Sequence, residues 1–405
     1  MLRTLLPVFA LNFVGVVGVS VTYAGGYVRV TVAGPTCNVL DHGAVGDGVH
    51  DDTLSLQAAI AACTGPAGGS VLFPRGKTFL SFGLTVPASS GVALVIDGTL
   101  RFSNATSSPR WPSPAVGCLL FAGGDGVALV GSGTVDGQGA AWWLQRDLPS
   151  RPNLVSTHGV TNLLVANLTF LDSPNHNLEL YASPAELAGV TVLAPPSTAA
   201  ENPSHNTDAV DVHGDYFWVH DCAFSVGDDN LAIHASHGLF ERNAFGAGHG
   251  ASIGSLGGAI ALENITVRDT AFRGTTAGVR IKVDTEASGY LRDVTYANLT
   301  MDGVGETVSV CFFYNGGGGS CNYPGKAAPT KGMALALSNV VVQGVVSRDA
   351  GSSGQFTCAA ETPCAVSLRD VVHTGAVPSE GWACANARVA TGGSVVPALP
   401  AACAA

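Results

Sequence analysis

The sequence has little charge and few aromatic side chains for its length. Only 12% of its 405 residues are charged and 7% are aromatic, whereas glycine occurs 52 times. Lysine and arginine number 19 against 30 acidic residues, and the net charge of −11 argues against nucleic acid as a partner. This composition is typical of a β-rich extracellular protein with tight turns, and it does not suit a helical bundle or a disordered chain.

Long apolar runs are absent after the N-terminus. Near the start, a positive charge at Arg3 precedes a mostly apolar stretch from Leu5 to Val19, and small residues follow at Thr22 to Ala24. This arrangement predicts a secretory signal peptide over residues 1–24 and a mature domain over residues 25–405. A membrane anchor is the alternative, but Asn12 interrupts the short run. We therefore expect a secreted protein, extracellular or in a cell wall, with no membrane contact after signal removal.

Zinc-binding spacings are absent among the cysteines, so no metal or other cofactor is predicted. Ten cysteines remain after the signal peptide, and an even number in a secreted chain implies disulfides. Their short separations favour three pairs, Cys311–Cys321, Cys358–Cys364 and Cys384–Cys403. Four Asn-X-Ser/Thr sequons are consistent with glycosylation during secretion, namely Asn104, Asn167, Asn264 and Asn298.

Short apolar segments recur along most of the chain, separated by Gly, Pro, Ser and Asn. Clear examples are Val71 to Phe73, Val92 to Ile96, Val127 to Val130, Leu163 to Val165 and Val190 to Leu193. Runs this short and regular predict an all-β solenoid of stacked coils. No linker separates a second domain, so we expect one domain. The asparagines that follow many strands are expected to form structural ladders.

One helix is expected near the N-terminus, between Cys37 and Cys63. Asp51 or Asp52 can cap it, so this pair of carboxylates is interpreted as structural rather than catalytic. Its apolar side is expected to comprise Leu54, Ala58 and Ile60 to Ala62. Such a helix would cover the open end of the solenoid, where the last coil exposes unpaired strand edges.

Four polar clusters follow one another in the middle of the chain. They are Asn206-Thr207-Asp208, Gly227-Asp228-Asp229, Gly248-His249-Gly250 and Arg280-Ile281-Lys282. Asp208 lies 21 residues before Asp229, and Asp229 lies 20 residues before His249. A period near 20 residues is one coil of a solenoid, and neighbouring strands lie about 4.8 Å apart. We therefore expect one patch with three carboxylates, an imidazole and two cations.

The last cluster lies in an alternating strand. Val279, Ile281 and Val283 are expected to point inward, which leaves Arg280 and Lys282 together on the outer face. Arginine can bind a carboxylate through two N–H groups, and lysine adds a point charge. The pair is therefore expected to bind an acidic sugar. A structural salt bridge to the neighbouring aspartates is the alternative.

Together, the four clusters resemble the signature of the polygalacturonase family of glycoside hydrolases, family 28. The resemblance is close over residues 206–282 and looser over most of the mature chain. It implies a single-domain right-handed parallel β-helix with a short N-terminal capping helix. It also implies that Asp228 is the general acid, that Asp208 and Asp229 hold and activate water, and that His249 tunes the acid or binds sugar.

The resemblance further implies a set of substrate-binding residues. Arg280 and Lys282 match cations that hold substrate carboxylates, and Asn206 matches an asparagine on the substrate side. A tyrosine usually follows the cations, and of Tyr314 and Tyr323 we favour Tyr314. The Asp228–Asp229 pair is expected to raise one pKa and so to keep one carboxyl protonated as the acid, because like charges repel.

Some features depart from the family pattern. Asn230 and Phe245 stand where two bonded cysteines are usual, which indicates a lost disulfide. Strict alternation puts Asp208 on the side of inward-facing valines, so the chain must bend there or bury the carboxylate. The tryptophans at 142 and 143 are expected to pack over a strand end rather than contact sugar. Several further polar residues are expected to be structural or on the surface: Asp211, Asp215, Asp221, His205, His213 and His234.

The expected protein is thus a secreted, monomeric polygalacturonase that hydrolyses α-1,4 bonds of de-esterified homogalacturonan with inversion. Pectin is a polyanion, and the net charge of −11 would repel it at long range. The alternatives are a hydrolase of branched pectin (xylogalacturonan or rhamnogalacturonan), a calcium-dependent pectate lyase, and a β-helix that binds polysaccharide without cleaving it. The sequence leaves endo and exo cleavage equally open.

Overall fold

The computed structural model describes residues 22–24, 27–65, 67–112, 117–144, 151–201, 203–314, 334–376 and 380–403. The strands of the first part are β1 (Thr22–Ala24), β2 (Arg29–Thr31), β3 (Thr36–Asn38), β4 (Asp47–Asp51), β5 (Gly69–Phe73), β6 (Thr78–Ser81), β7 (Leu84–Val86), β8 (Val92–Ile96), β9 (Thr99–Phe102), β10 (Leu119–Phe121), β11 (Gly124–Val130) and β12 (Thr134–Asp136). Those of the middle part are β13 (Val155–Ala166), β14 (Thr169–Leu171), β15 (Leu178–Ala182), β16 (Ala185–Ala188), β17 (Thr191–Leu193), β18 (Val210–Asp215), β19 (Phe217–His220), β20 (Ala223–Ser225), β21 (Leu231–Ser236), β22 (Gly238–Glu241), β23 (Ala244–Phe245) and β24 (Ala251–Leu256). Those of the last part are β25 (Ala259–Arg273), β26 (Ala277–Val283), β27 (Ser288–Asp302), β28 (Glu306–Phe312), β29 (Ala334–Arg348), β30 (Ser352–Thr357), β31 (Cys364–Thr374), β32 (Glu380–Ala385) and β33 (Ala387–Val396).

The strands after β2 stack in parallel, each on the strand one coil earlier. One ladder runs β15, β18, β21, β24, β26 and β28, with Leu178 opposite Val210 and Asp211 opposite Ala232. A second ladder contains β16, β19 and β22, and a third contains β17, β20 and β23. Three parallel ladders wound by one chain form a parallel β-helix, which confirms the expected fold class.

The interior of the coil is a stack of apolar side chains. In the third ladder Phe224 lies opposite Phe245, and Phe245 lies opposite Phe272. The rings of Phe224 and Phe245 are nearly parallel, with centroids 5.7 Å apart. Phe245, which stands where a cysteine was expected, is therefore a core residue. Burial of such rings gives each coil a favourable contact with its neighbours.

Helix α1 (Thr53–Cys63) covers the N-terminal coils, as expected. Asp51 Oδ1 accepts a hydrogen bond from the Thr53 amide, whereas Asp52 accepts from the Val45 and Gly46 amides and fixes the preceding loop. The predicted apolar side was wrong at Leu54, which is 85% exposed, and at Ala58, Ala61 and Ala62, which are also exposed, whereas Ile60 is buried as expected. The buried side consists of Leu56, Ala59, Ile60 and Cys63. A second, one-turn helix, α2 (Ala140–Trp143), contains the tryptophan pair, which is buried as expected.

Three disulfides join described residues. Cys358–Cys364 and Cys384–Cys403 were expected, and Cys37–Cys63 ties β3 to the end of α1. Cys321, the expected partner of Cys311, lies outside the described residues. Within the described part of the chain, no helix is both long enough and apolar enough to cross a membrane.

Candidate active site

Three of the four clusters occupy the same position in successive coils. Asp208, Asp229 and His249 each lie two residues before a strand of the first ladder, namely β18, β21 and β24. Backbone hydrogen bonds hold this register, because the Ala209 amide donates to the Asp229 carbonyl and the His249 amide donates to the Asp228 carbonyl. The polar clusters, though distant in sequence, are thus brought together in one groove.

Asp229 is the buried centre of the groove. Its side chain is fully buried, and Oδ1 accepts hydrogen bonds from Arg280 Nη1 at 3.2 Å and from Ser252 Oγ at 2.8 Å. Lys282 Nζ donates to Oδ2 at 2.5 Å. The salt bridge considered as an alternative for the two cations is therefore present. The two cations therefore balance the Asp229 carboxylate, and their charge also acts on the neighbouring Asp228 carboxylate.

The two cations lie on the groove side of β26, while the valines and Ile281 face the core. They are less accessible than expected, since Arg280 is 9% exposed and Lys282 is 6% exposed. Tyr314 covers them: its ring centroid lies 5.3 Å from Arg280 Cζ and 5.1 Å from Lys282 Nζ. Arg280 Nη2 also donates to the Tyr314 hydroxyl at 3.3 Å. Tyr323, the other candidate, lies outside the described residues.

Asp228 pairs with His249. The Asp228 Oδ1 atom lies 2.9 Å from His249 Nδ1. Burial would raise the pKa of Asp228, but the hydrogen bond and charge of His249, together with Lys282 and Arg280, lower this pKa to about 2. A raised pKa was expected within the Asp228–Asp229 pair. At Asp228 this was wrong, because the contact with His249 and the charges of Lys282 and Arg280 outweigh the effect of burial.

The raised pKa belongs to Asp208 instead. Burial raises the pKa of Asp208 well above the usual range of a carboxyl, and the nearby charge of Asp228 raises this pKa further. The Asp208 side chain is only 10% exposed, so of the two outcomes that alternation left open, the carboxylate is largely buried. The Asn177 side-chain amide donates to the Asp208 carbonyl at 3.1 Å and fixes the backbone of this turn.

Asn206 lies at the outer edge of the groove. It is exposed and adopts a left-handed backbone with φ of 57°. Its Oδ1 accepts a hydrogen bond from Arg151 Nη2 at 2.8 Å, and Arg151 Nη1 donates to the carbonyl of His205. Arg151 therefore holds the turn that leads into Asp208, and no local sequence pattern predicts this contact.

Asp211 and His176 are the groove residues that sequence reasoning missed. Asp211 was expected at the surface, but it is 5% exposed and lies 3.3 Å from His176 Nδ1. The signal was present: Val210 and Val212 face the core of β18, so Asp211 must face the groove. His176 lies in the turn before β15, where no periodic pattern assigns a direction.

Asn230, which stands where the family pattern has a disulfide cysteine, holds its turn by hydrogen bonds. Its fully buried side chain donates to the carbonyls of Phe224 and Ala247, at 3.2 Å and 3.0 Å. It also accepts from the Gly250 amide at 2.8 Å. A side chain at Gly248 would meet this amide, since an added Cβ would lie 2.4 Å from Asn230 Oδ1. The turn that carries His249 is thus held by hydrogen bonds.

The remaining polar residues named from the sequence have contacts of their own. His213 and His234 stack with ring centroids 4.7 Å apart, and Tyr181 stacks on His213 at 4.2 Å. Burial, with the neighbouring His213, lowers the pKa of His234 to about 4, so its imidazole is neutral. Asp215 is half exposed at the end of β18, and Asp221 accepts from Arg242 on the outer surface. These positions agree with structural roles.

In the described part of the chain, two groups of side chains have donor atoms close enough to hold a cation. They are His176, Asp208 and Asp211, and Asp228, Asp229 and His249, with donor atoms within 4.8 Å of one another in each group. In the second group Lys282 and Arg280 already balance Asp229. A divalent cation there would be repelled by two fixed positive charges.

Comparison with known proteins gives consistent matches. The family model described as "Glycosyl hydrolases family 28" matches residues 63–395. A probable polygalacturonase of Arabidopsis thaliana is 33% identical over 354 residues, covering 85% of this chain and 75% of that relative. An endo-polygalacturonase of Pectobacterium carotovorum subsp. carotovorum is 32% identical over 300 residues, covering 65% of this chain and 72% of that relative. The solved structure of a polygalacturonase from Erwinia carotovora ssp. carotovora matches with a TM-score of 0.69 at 25% identity, covering 89% of this chain and 98% of that chain.

Proposed function

This chain belongs to the glycosyl hydrolases of family 28, and we propose that it is a polygalacturonase that hydrolyses α-1,4 bonds of de-esterified homogalacturonan with inversion. The observation that carries the proposal is the pair of buried cations, Arg280 and Lys282, bound to Asp229 directly beside Asp228. Relatives named polygalacturonase and endo-polygalacturonase support the same substrate. The membership also confirms the resemblance that the four clusters carry.

Asp228 and Asp208 share the proton transfers of the reaction. Asp228 donates a proton to the glycosidic oxygen, so the bond from that oxygen to C1 breaks and the leaving sugar departs as an alcohol. Asp208 accepts a proton from water, and the water oxygen forms the new bond to C1 from the opposite side. Asp229 contributes to the orientation of that water through the charge that it shares with Arg280 and Lys282. The raised pKa of Asp208 makes it a stronger base once it is ionised.

Substrate binding raises the pKa of the general acid, Asp228, so that it can carry a proton. The pKa of Asp228 is low, against the effect of burial, because His249, Lys282 and Arg280 favour its charged form. A uronate carboxylate bound to the two cations offsets their charge and raises the pKa of Asp228. Asp228 can then carry the proton that it donates, while its Oδ1 lies 2.9 Å from His249 Nδ1. A neutral sugar would leave Asp228 ionised, so the same arrangement selects uronates.

The cations keep donors for a uronate while they bind Asp229. A guanidinium has five N–H donors, and Asp229 and the Tyr314 hydroxyl each accept one from Arg280. An ammonium has three, and Asp229 accepts one from Lys282. Tyr314 lies over both side chains and limits the approach to one side. The local positive charge thereby acts on the substrate although the chain as a whole is acidic.

The protein acts as a secreted monomer with one catalytic domain over residues 25–405, after loss of residues 1–24. The three disulfides among described residues support an oxidising compartment. Signal removal after Ala24 would take away β1, which among the described strands pairs with β2 alone. Helix α1 contacts β3, β5 and β7 at the N-terminal end, and this cover supports the monomer, because a covered strand edge is less open to a second copy. Sedimentation of the mature protein tests this point.

The decisive experiment follows the products released from polygalacturonic acid over time, by chromatography and by a reducing-end assay. Proton NMR of the first product tests inversion at C1. Asp228→Asn should reduce turnover by about a thousandfold or more while substrate binding persists. Asp215→Asn is the matched control, because this half-exposed carboxylate lies at the far end of β18 and contacts His237; its turnover should equal that of the wild type.

Each competing function predicts a different product. Release from branched pectin but not from polygalacturonic acid would indicate a branched-pectin hydrolase. An unsaturated product that absorbs in the ultraviolet and disappears with chelator would indicate a lyase. Binding without any product would indicate a non-catalytic β-helix. Unchanged turnover in Asp228→Asn would remove Asp228 as the acid.

A further inference from the structure

His176 lies where two groove carboxylates meet, outside all four sequence clusters. Its Nε2 atom is 3.6 Å from Asp208 Oδ1, and its Nδ1 atom is 3.3 Å from Asp211 Oδ2. The ring therefore lies between the two carboxylates and faces one with each nitrogen. The His176 side chain is 29% exposed, whereas those of Asp208 and Asp211 are 10% and 7% exposed.

The backbone of the turn fixes this placement. The His176 carbonyl accepts hydrogen bonds from the Leu154 amide at 2.9 Å and from Ser173 Oγ at 2.8 Å. The next residue, Asn177, donates its amide to the Asp208 carbonyl at 2.8 Å. The turn before β15 and the turn before β18 are therefore tied together, and the imidazole has little freedom to leave the carboxylates.

The two carboxylates need a cation at this point. Among the described residues, Asp208 Oδ1 and Asp211 Oδ2 are buried and have no hydrogen-bond partner. Burial lowers the pKa of His176, but the charges of Asp208 and Asp211 outweigh it and raise this pKa to about 10. The imidazole is therefore positively charged, and its charge opposes the rise in the pKa of Asp208.

We propose that His176 is a positioning residue of the hydrolysis: its imidazolium holds the Asp208 carboxylate ionised and oriented to accept the proton of the attacking water. The inference rests on the proposed function. In the step concerned, an O–H bond of water breaks, its proton goes to Asp208, and its oxygen forms the bond to C1 as the glycosidic bond breaks. His176 itself contacts neither substrate nor water in this step.

The charges around His176 give the sign of the effect. Facing it are Asp208, Asp211 and His213 from the β18 segment, and Glu179 from β15; burial lowers the pKa of His213, which favours its neutral ring. Without the imidazolium, Asp208 would be left with the repulsion of Asp211 and of Asp228. Its pKa would rise, so a larger share would be protonated and unable to accept a proton. The acid limb of the pH profile of kcat should then move to higher pH.

The test compares His176→Gln with the wild type on polygalacturonic acid across pH. The acid limb of kcat should move up by about one pH unit, and kcat below it should fall by about tenfold with KM within about twofold. His176→Lys, which restores a cation, should recover part of the shift. His213→Gln is the matched control, because this histidine lies on the same face of β18 but stacks on Tyr181; its acid limb should not move.

Asp211→Asn gives an independent test with the opposite sign. It removes a negative charge that raises the pKa of Asp208, so the acid limb should move to lower pH. This variant decides the matter if His176→Gln does not fold, as judged by circular dichroism. Equal acid limbs in the wild type, His176→Gln and Asp211→Asn would overturn the inference, and so would a change confined to KM or to thermal stability.

Two further outcomes separate this inference from its premises. If the wild type releases no reducing ends from polygalacturonic acid, the proposed function fails. If the wild type is active and His176→Gln keeps its acid limb, only the role of His176 fails. If EDTA abolishes wild-type turnover and zinc or calcium restores it, the three side chains hold a metal and the imidazolium role is overturned.

Discussion

Asn230→Ala tests whether hydrogen bonds can replace a disulfide in holding the His249 turn. The substitution removes three buried hydrogen bonds, to the Phe224 and Ala247 carbonyls and from the Gly250 amide. At about 1 kcal/mol each, the loss is about 3 kcal/mol of folding free energy. Two of the three bonds, to the Ala247 carbonyl and from the Gly250 amide, hold the turn itself. Their loss costs about 2 kcal/mol, which lowers the equilibrium constant for the ordered turn by roughly 30-fold.

The expected result is therefore a loss of turnover together with a loss of stability. The kcat on polygalacturonic acid should fall by about tenfold or more, because His249 no longer stays beside Asp228. Asn230→Asp keeps an acceptor for the Gly250 amide but loses both donors and adds a buried charge, so it should be worse than Asn230→Ala. Reducing-end kinetics and thermal unfolding by circular dichroism measure the two effects.

Asn243→Ala is the matched control. This asparagine is also buried, donates to the Val219 carbonyl and accepts from the Cys222 amide, but it lies between β22 and β23 and not in a turn that precedes a strand of the first ladder. It should lose stability and keep its kcat. If Asn230→Ala and Asn243→Ala lose equal stability and both keep wild-type kcat, Asn230 is a general stabiliser and the reasoning about the turn is refuted.

Three further changes follow from the same structure. Lys282→Met removes one of the two cations bound to Asp229, so it should lower the free energy of unfolding by about 3–5 kcal/mol and abolish nearly all turnover. The double variant with Asp229→Asn should recover stability, measured by urea unfolding, but not turnover. Burial lowers the pKa of His234 to about 4, so the unfolded chain binds a proton that the folded chain excludes, and stability falls as pH drops from about 6.5 to about 4. His234→Gln should remove up to about 3 kcal/mol of that loss, and equal pH dependence in the two proteins would contradict it. Replacing Cys37 and Cys63 by serine opens a bridge with a separation of 26 residues and should lower stability by about 3.5 kcal/mol, while a drop below about 1 kcal/mol would show that the cap is held by packing alone.

The fold could be predicted because its signals are periodic. Short apolar strands, regular turns and a repeat near 20 residues each point to stacked coils, and Asp208, Asp229 and His249 keep that repeat. Their side chains therefore had to meet, whatever the details of the turns. The inward side of β26 followed from alternation in the same way.

The electrostatics of the site could not be predicted at the same level. Which carboxyl is protonated depends on burial and on contacts from other coils, and these brought His249 to Asp228 and left Asp208 with carboxylate neighbours. His176 lies in a turn, where no period fixes a direction. The exposure of Leu54 shows a related limit, because a short helix can rotate by one residue without losing its apolar character.

Because one rung separates Asp208 from Asp229 and another separates Asp229 from His249, the groove can change its dimensions only in steps. A rung adds about 4.8 Å along the solenoid axis, and a shift of one residue along a strand adds about 3.3 Å across it. Inserting a whole extra coil between β18 and β21 would leave the ladders continuous and the core filled. It would also move the base, Asp208, one rung further from the acid, Asp228. The stacked architecture would survive, but the hydrolysis would be lost.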